Sequence, residues 1–383
     1  MNNKRKYFSL AVCLILISAL LIGCQQTTGQ EDVNQSTSVE SVGNENINYD
    51  NLDESVDIEE ISNTTVDVST NTNVDPSVEY AYRESVFDLS VTKGSFACYY
   101  FRSNYTRPRP VGNFYSGDAA LLVAPDGTTM LIDFNMAPVT SHVVDSLQRL
   151  GISELDYVMA SHTDEDHCGG YKTLLSNIKV GHVYVSDDPY YKSTEYKAGR
   201  FLAMAVEQGA SYSILKGGME VDFGGVTMKV YSPTADYEWP ASPTSAQRND
   251  ASLVVKFVYG ESSFLFAGDI NSAKEIQLTE MYGEELQADV VKMDHHGLKS
   301  SNSKKWYETI QPKLACGMAA VVHSSEVLER FMIMDIPFTL SVLDGATVVW
   351  TDGDGVYDVQ VEKDREDSYF GVLPTTDGHF QIK

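Results

Sequence analysis

Short apolar runs alternate with helical-period stretches over most of the chain. Ala119–Ala124 and Thr129–Asp133 flank Pro125-Asp126-Gly127, which predicts two strands joined by a tight turn. Val139, Val143, Val144, Leu147 and Leu150 recur at helical spacing, with Thr140 or Ser141 as N-cap and Gly151 as stop. Leu155–Ser161 reads as a strand ending at His162. Tyr171–Ile178 and Glu195–Glu207 read as helices on either side of a strand at Val183–Ser186. Met219–Tyr231 predicts a hairpin about Gly224-Gly225, and Ser252–Tyr259 with Ser263–Ala267 a second one turning at Gly260-Glu261. A helix over Ala273–Tyr282, a strand over Ala288–Met293 and helices near 303–310 and 324–334 follow. Strands at Phe338–Leu343, Thr347–Thr351 and Tyr357–Val361 close the pattern. Mixed elements without a repeat period predict one layered α/β domain.

The first eighty residues follow a different pattern. Lys4-Arg5-Lys6 precedes an apolar run from Tyr7 to Ile22, broken only by Ser9 and Ser18. That run is short for a bilayer span, which takes about 20 residues, but suits a secretion signal. Leu21-Ile22-Gly23-Cys24 resembles the lipobox of bacterial lipoproteins, which implies lipidation of Cys24 and a place on the extracellular face of the cell membrane. Residues 25–79 are polar, lack a sustained period and carry thirteen of the acidic residues, half of the formal net charge of −26. Such a stretch cannot offset its chain entropy and reads as a tether. The expected division is a signal at 1–24, an acidic tether at 25–85, a folded domain at 86–365 and a tail at 366–383. The overall acidity argues against a general nucleic-acid-coating surface. Five cysteines (Cys13, Cys24, Cys98, Cys168, Cys316) show no paired spacing, which excludes a disulfide-dense scaffold and a cysteine-based zinc finger. Cys98, Cys168 and Cys316 are expected as buried free thiols.

The chemistry concentrates at three strand ends. Ser161-His162-Thr163-Asp164-Glu165-Asp166-His167 places four potential ligands within six residues: His162, Asp164, Asp166 and His167. Imidazole and carboxylate at that density suit one or two divalent cations. Gly169-Gly170 lets the backbone turn tightly and start a helix. The strand Phe264-Leu265-Phe266-Ala267 delivers Asp269 at its tip after Gly268, and Val290-Val291-Lys292-Met293 leads into Asp294-His295-His296-Gly297. Three ligand-bearing strand ends can converge at one edge of a sheet.

These segments resemble the metallo-β-lactamase fold, a four-layer αββα sandwich of metal-dependent hydrolases. They are most similar to its ComEC branch, related to a domain of DNA-uptake competence proteins. Gly117-Asp118-Ala119, Met130–Asp133, His162–Gly170, Asn249–Val254, Gly268-Asp269 and His295–Ser301 carry the resemblance in that order. By position it implies that His162 and Asp164 hold a first metal, Asp166 and His167 a second, and Asp269 a bridge. One of His295 and His296 completes the second site, and Asp133 supports the loop. Asp164 stands where most of the superfamily has histidine, and Asn249 or Asp250 stands near a second missing histidine. The implied cofactor is therefore two ions of Zn²⁺ or Mn²⁺.

Two short segments are basic despite the acidity. Arg102, Arg107 and Arg109 lie in an aromatic stretch. Lys299, Lys304 and Lys305 follow the histidine pair among Ser300, Ser301 and Ser303. Cations and hydroxyls beside a metal pair favour an anionic, phosphate-containing substrate. Asp166 is the expected proton acceptor, Lys299 the expected phosphate contact, and His323 or the unligated member of His295 and His296 the candidate proton donor. The expected protein is a lipid-anchored dinuclear metallohydrolase acting on phosphodiesters such as nucleic acid or nucleotides. Stable nucleic-acid binding and oligomeric state stay open. A phosphorylcholine-esterase or lactonase chemistry, or a non-catalytic surface-binding lipoprotein, are the alternatives. Nothing after Ile22 approaches a membrane span, so DNA import by this chain alone is not expected.

Overall fold

A computed structural model describes residues 82–102, 117–365 and 369–383. The signal, Cys24, the tether up to residue 81, and Arg107 and Arg109 lie outside the described residues.

In chain order the first strands are β1 (Phe96–Tyr100), β2 (Ala120–Val123), β3 (Thr129–Ile132), β4 (Glu154–Met159), β5 (Lys179–Val185), β6 (Ser211–Ile214), β7 (Glu220–Phe223) and β8 (Val226–Ser232). They are followed by β9 (Val254–Tyr259), β10 (Ser262–Phe266), β11 (Val290–Lys292), β12 (Leu314–Gly317), β13 (Phe338–Leu340), β14 (Thr347–Thr351), β15 (Tyr357–Val361) and β16 (His379–Ile382). The helices are α1 (Ala137–Arg149), α2 (Glu165–Cys168), α3 (Tyr171–Asn177), α4 (Lys197–Glu207), α5 (Ser245–Asp250), α6 (Ser272–Tyr282), α7 (Lys304–Ile310), α8 (Ser325–Ile333) and α9 (Ser341–Asp344).

The strands form two sheets. One has the order β16-β15-β14-β1-β2-β3-β4-β5-β6, the other β13-β12-β11-β10-β9-β8-β7. Alternation along each strand sorts its residues between two cores. Phe96, Cys98, Leu122, Met130 and Met159 of the first sheet meet Phe257, Phe264, Phe266 and Val290 of the second. The intervening residues Ala97, Tyr99, Leu121, Leu131 and Val158 face outward onto Leu147, Leu174 and Phe201 of α1, α3 and α4. On the far side, Leu265, Val291 and Ala315 pack under Leu278, Trp306 and Phe331 of α6, α7 and α8. The layers are therefore α, β, β, α, the expected sandwich.

Several elements differ from the sequence expectation. β1 is buried at every position, so it shows no polar–apolar alternation to announce it. β6 and α5 are largely polar and β12 is buried throughout, so none shows a period. α1 begins earlier than Thr140, with Met136 as N-cap and a proline in its first turn. Thr140 turns inward instead and donates to the carbonyls of Phe134 and Met136, both at 2.9 Å. The domain also starts before residue 86. Arg83 N donates to the Glu362 carbonyl at 2.7 Å, and Val86 and Phe87 are buried. Within the expected tail, His379–Ile382 pairs antiparallel with Tyr357–Gln360 and forms the edge of the first sheet as β16, so this part belongs to the domain. Cys98, Cys168 and Cys316 are free and buried. Among the described residues, no helix is long and apolar enough to cross a membrane.

Candidate metal centre

The parallel strands β3, β4, β10 and β11 all end at the same edge of the sandwich. Asp133 follows β3 in the left-handed region, at φ 58°. Its carboxylate accepts from Ser161 N at 2.7 Å, from Ser161 Oγ at 2.8 Å and from His167 Nδ1 at 2.8 Å. It thus ties the end of β3 to the end of β4 and fixes the ring of His167. The segment after β4 is not an extended loop. Glu165–Cys168 closes a helical turn, with Cys168 N donating to Asp164 O at 3.1 Å. That turn carries Asp166 and His167 towards the sheet edge. Gly170 allows the close approach beyond it, since a Cβ there would lie 1.5 Å from Thr140 Oγ1.

Asp269 is the centre of the arrangement. Its Oδ2 lies 3.1 Å from His167 Nε2, 3.2 Å from His296 Nε2 and 3.7 Å from His295 Nε2. Asp166 reaches the same place, with Oδ2 3.2 Å from His296 Nε2 and Oδ1 4.0 Å from His167 Nε2. Gly268 makes this possible at φ 56°, because a Cβ would press on Ser252 at 2.7 Å.

Extended neighbours would point His295 and His296 to opposite sides. Both adopt left-handed backbone instead, at φ 49° and 55°, so both rings face Asp269. Two such non-glycine residues cost roughly 1–3 kcal/mol each and persist only where the surroundings hold them. Asn302 supplies the hold. Its Oδ1 accepts from Asp294 N at 3.1 Å, and its Nδ2 donates to the carbonyls of Asp294 at 2.8 Å and Leu298 at 3.0 Å.

Asp118 and Lys292 carry no expected role, although Asp118 lies in the first matching segment and Lys292 in the strand that leads to His295. Asp118 Oδ1 accepts from His296 Nδ1 at 3.0 Å, while Oδ2 is paired with the ammonium of Lys292. Asp118, His167, Asp269 and His296 offer atoms within 4.8 Å of one another. Both oxygens of Asp118 are already engaged, however, so it orients His296 as Asp133 orients His167. The signal for Asp118 was in the hairpin. The register Ala120↔Ile132 carries it level with the chain just past Asp133, where Asn135 N donates to its carbonyl at 3.0 Å. Lys292 could have been suspected as a lone charge in an apolar strand. It is 2% exposed, 2.8 Å from Gly268 O and 3.5 Å from Asp269 Oδ1.

The donor chemistry fits a cation. Each of His167 and His296 gives its Nδ1 proton to a carboxylate, so a neutral ring presents Nε2 as an acceptor. That acceptor faces carboxylate oxygens at 3.1–3.2 Å. Two acceptors at this separation need positive charge between them, from a proton or from a metal. Donors around a tetrahedral ion at about 2.1 Å lie roughly 3.4 Å apart, which is the spacing seen here.

The electrostatics state the same demand. Burial pushes His167 and His296 down, but Asp269 with Asp133 or Asp118 outweighs it and holds both well above the usual histidine range. Burial pushes Asp269 up, yet His167, His296 and His295 bring it well below the ordinary carboxylate value. The metal would take the place of those protons.

The remaining predicted residues are placed differently. His162 is buried with its ring 4.1 Å from that of His167, and burial followed by His167 keeps it below the usual value. Asp164 is not among the converging donors: its Oδ1 accepts from Arg248 Nε at 2.7 Å and its Oδ2 from Ser245 Oγ. Near the missing histidine, Asp250 is engaged by Asn271 at 3.0 Å. His323 lies at the mouth, 6.4 Å ring to ring from His296, lowered to about 4 by burial and then by His296 and His295. It is therefore neutral at pH 7 in the metal-free protein. Lys299 is exposed on the rim, 3.9 Å from Glu326. Of the first basic segment, Arg102 pairs with the buried Glu362 at 3.3 Å.

The sequence profile of the Metallo-beta-lactamase superfamily matches residues 114–312. ComE operon protein 3 of Bacillus subtilis (strain 168) is 30% identical over 173 residues, covering 45% of this chain and 21% of that protein. Competence protein ComA of Neisseria gonorrhoeae is 25% identical over 216 residues, covering 55% of this chain and 27% of that one. The chain thus spans about a quarter of the length of these relatives. Among solved structures, the metallo-beta-lactamase fold protein YhfI from Bacillus subtilis aligns with a TM-score of 0.44 and 10% identity, over 67% of this chain and 100% of that one.

Proposed function

Because the chain belongs to the metallo-beta-lactamase superfamily of metal-dependent hydrolases, we propose that it hydrolyses phosphodiesters, in nucleic acid or nucleotides, outside the cell. The observation that carries this reading is the convergence of three imidazoles and Asp166 on Asp269, with two of the rings oriented by buried carboxylates. His167, His295, His296, Asp166 and Asp269 would hold divalent metal, Zn²⁺ or Mn²⁺, with His162 and Asp164 as the second group of donors. Bound metal supplies polarisation of a phosphoryl oxygen and acidification of water.

The chain's own residues account for the rest. Water adds to phosphorus, one P–O ester bond breaks, and the leaving oxygen takes up a proton. Asp166, which burial pushes up but His167 and His296 hold low, is ionised and accepts the proton of the water, while the leaving oxygen takes its proton from solvent. His323, at the mouth with its ring 6.4 Å from that of His296, is the candidate hydrogen-bond donor to the leaving oxygen. The loop after His296 supplies the phosphate contacts. Ser300 Oγ and Ser301 Oγ lie 3.5 and 3.4 Å from His295 Nδ1, and Lys299 stands exposed beside them. Similarity to competence proteins favours a nucleic-acid substrate. The anchor is a lipid on Cys24 at the extracellular face of the membrane.

One experiment tests both halves. Cells expressing the full chain are fractionated and assayed on bis-p-nitrophenyl phosphate, single-stranded DNA and a lactone, with Asp166→Ala as control. Phosphodiester activity is expected in the membrane fraction, moving to the medium in Cys24→Ala. Lys299→Ala is expected to raise KM about fivefold, the worth of one exposed charge-assisted contact. Activity on the lactone alone would overturn the substrate class, and activity that stays with the membrane in Cys24→Ala would overturn the anchor.

A further inference from the structure

The donors around Asp269 and the pair His162 and Asp164 are not equivalent. Asp164 is already neutralised. Its Oδ1 accepts from Arg248 Nε at 2.7 Å and its Oδ2 from Ser245 Oγ. Arg248 and Asp164 are only 15% and 16% exposed. The guanidinium is itself fixed: Nη1 donates to Pro243 O at 3.0 Å, and the group lies 4.7 Å over the ring of Tyr190, which stacks on Tyr196 at 3.7 Å. The helix that carries Arg248 and Ser245 is pinned at its start by a capping box between Thr244 and Gln247. An ion that used Asp164 would have to share this carboxylate with a held, largely desolvated arginine. Among the described residues no such competitor faces the donors around Asp269 except Lys292, which leaves Oδ2 to the three imidazoles.

We propose that Arg248 is a latch on Asp164 that makes the centre fill unequally, with one tightly held ion among the donors around Asp269 and a weaker second ion that must loosen the arginine. Arg248 is a positioning residue here, and its guanidinium supplies in advance part of the positive charge that a second ion would bring. This rests on the metal-centre reading above and goes beyond it, because it assigns unequal affinities to the two positions and names the residue that sets the difference.

The test is a titration of the metal-stripped full chain with Mn²⁺, and separately with Zn²⁺, followed by calorimetry and by electron paramagnetic resonance for spin-coupled Mn²⁺ pairs. Wild type is expected to bind a first ion at least about tenfold more tightly than a second, the scale of a partly buried ion pair that must be broken. In Arg248→Gln the second affinity is expected to rise about tenfold, with the coupled signal appearing at lower Mn²⁺ and the first affinity unchanged. Ser245→Ala, which keeps the arginine and its packing, is expected to shift the second affinity in the same direction by less. Melting curves without metal check that each variant folds. Two ions of equal affinity in wild type, or a second affinity unmoved in both variants, overturn the latch while leaving the metal centre intact. Absence of any ion in wild type overturns the centre itself and the latch with it.

Discussion

Asp269→Asn is expected to lower kcat/KM on a phosphodiester by at least about 10³-fold and to strip the tightly held ion, while leaving the fold in place. The loss is large because the same oxygen serves three imidazoles, at 3.1, 3.2 and 3.7 Å. Losing a charged group that is fully desolvated and central to the donor set removes several kcal/mol of charge stabilisation, and roughly 4 kcal/mol is a thousandfold. The fold survives because asparagine keeps the shape, and its amide can donate to a neutral Nε2. With the carboxylate gone, His167 and His296 lose the strongest of the charges that hold them above their usual range. Steady-state kinetics, metal content and a melting curve check the three parts. Retention of the ion with unchanged kinetics would place the chemistry elsewhere.

Lys292→Met is expected to have the largest effect on stability. The ammonium is buried between Asp118 and Asp269 and close to the carbonyl of Gly268. Burial alone would push it down, but Asp118 and then Asp269 hold it above the ordinary lysine value, so it is charged. Removing it strips buried Asp118 of its strongest counter-charge and Asp269 of one of several, which costs about 3–5 kcal/mol. For a domain of this size that corresponds to a fall in melting temperature of roughly 10 °C. Because the deficit is one of positive charge beside the metal position, Mn²⁺ is expected to restore part of it. Denaturant melts with chelator and with Mn²⁺ measure both effects. A loss below about 1 kcal/mol would mean that Lys292 does not balance these carboxylates.

The fold was largely legible because each layer has a sequence counterpart. Apolar runs bounded by Pro125-Asp126-Gly127, Gly224-Gly225 and Gly260 gave the hairpins, and the spacing from Val139 to Leu150 gave α1. β1 was hidden by its burial on both faces, and β16 by its distance from any motif. Within the site, the strand ends could be read because ligands followed apolar runs without a gap. What local spacing could not give was conformation and partnership. The left-handed turn at His295 and His296 depends on Asn302, and the orienting role of Asp118 depends on the β2–β3 register. The capture of Asp164 depends on Arg248, which is 84 residues away in sequence. Each of these is a tertiary fact that no window along the chain contains.

Anomalous diffraction from crystals of the metal-loaded protein shows whether divalent metal sits among the imidazoles that face Asp269. An anomalous peak is expected within about 2.0–2.3 Å of Asp269 Oδ2 and of the Nε2 atoms of His167 and His296. A loaded protein with no peak there, or with its metal bound only at some other place, would contradict it.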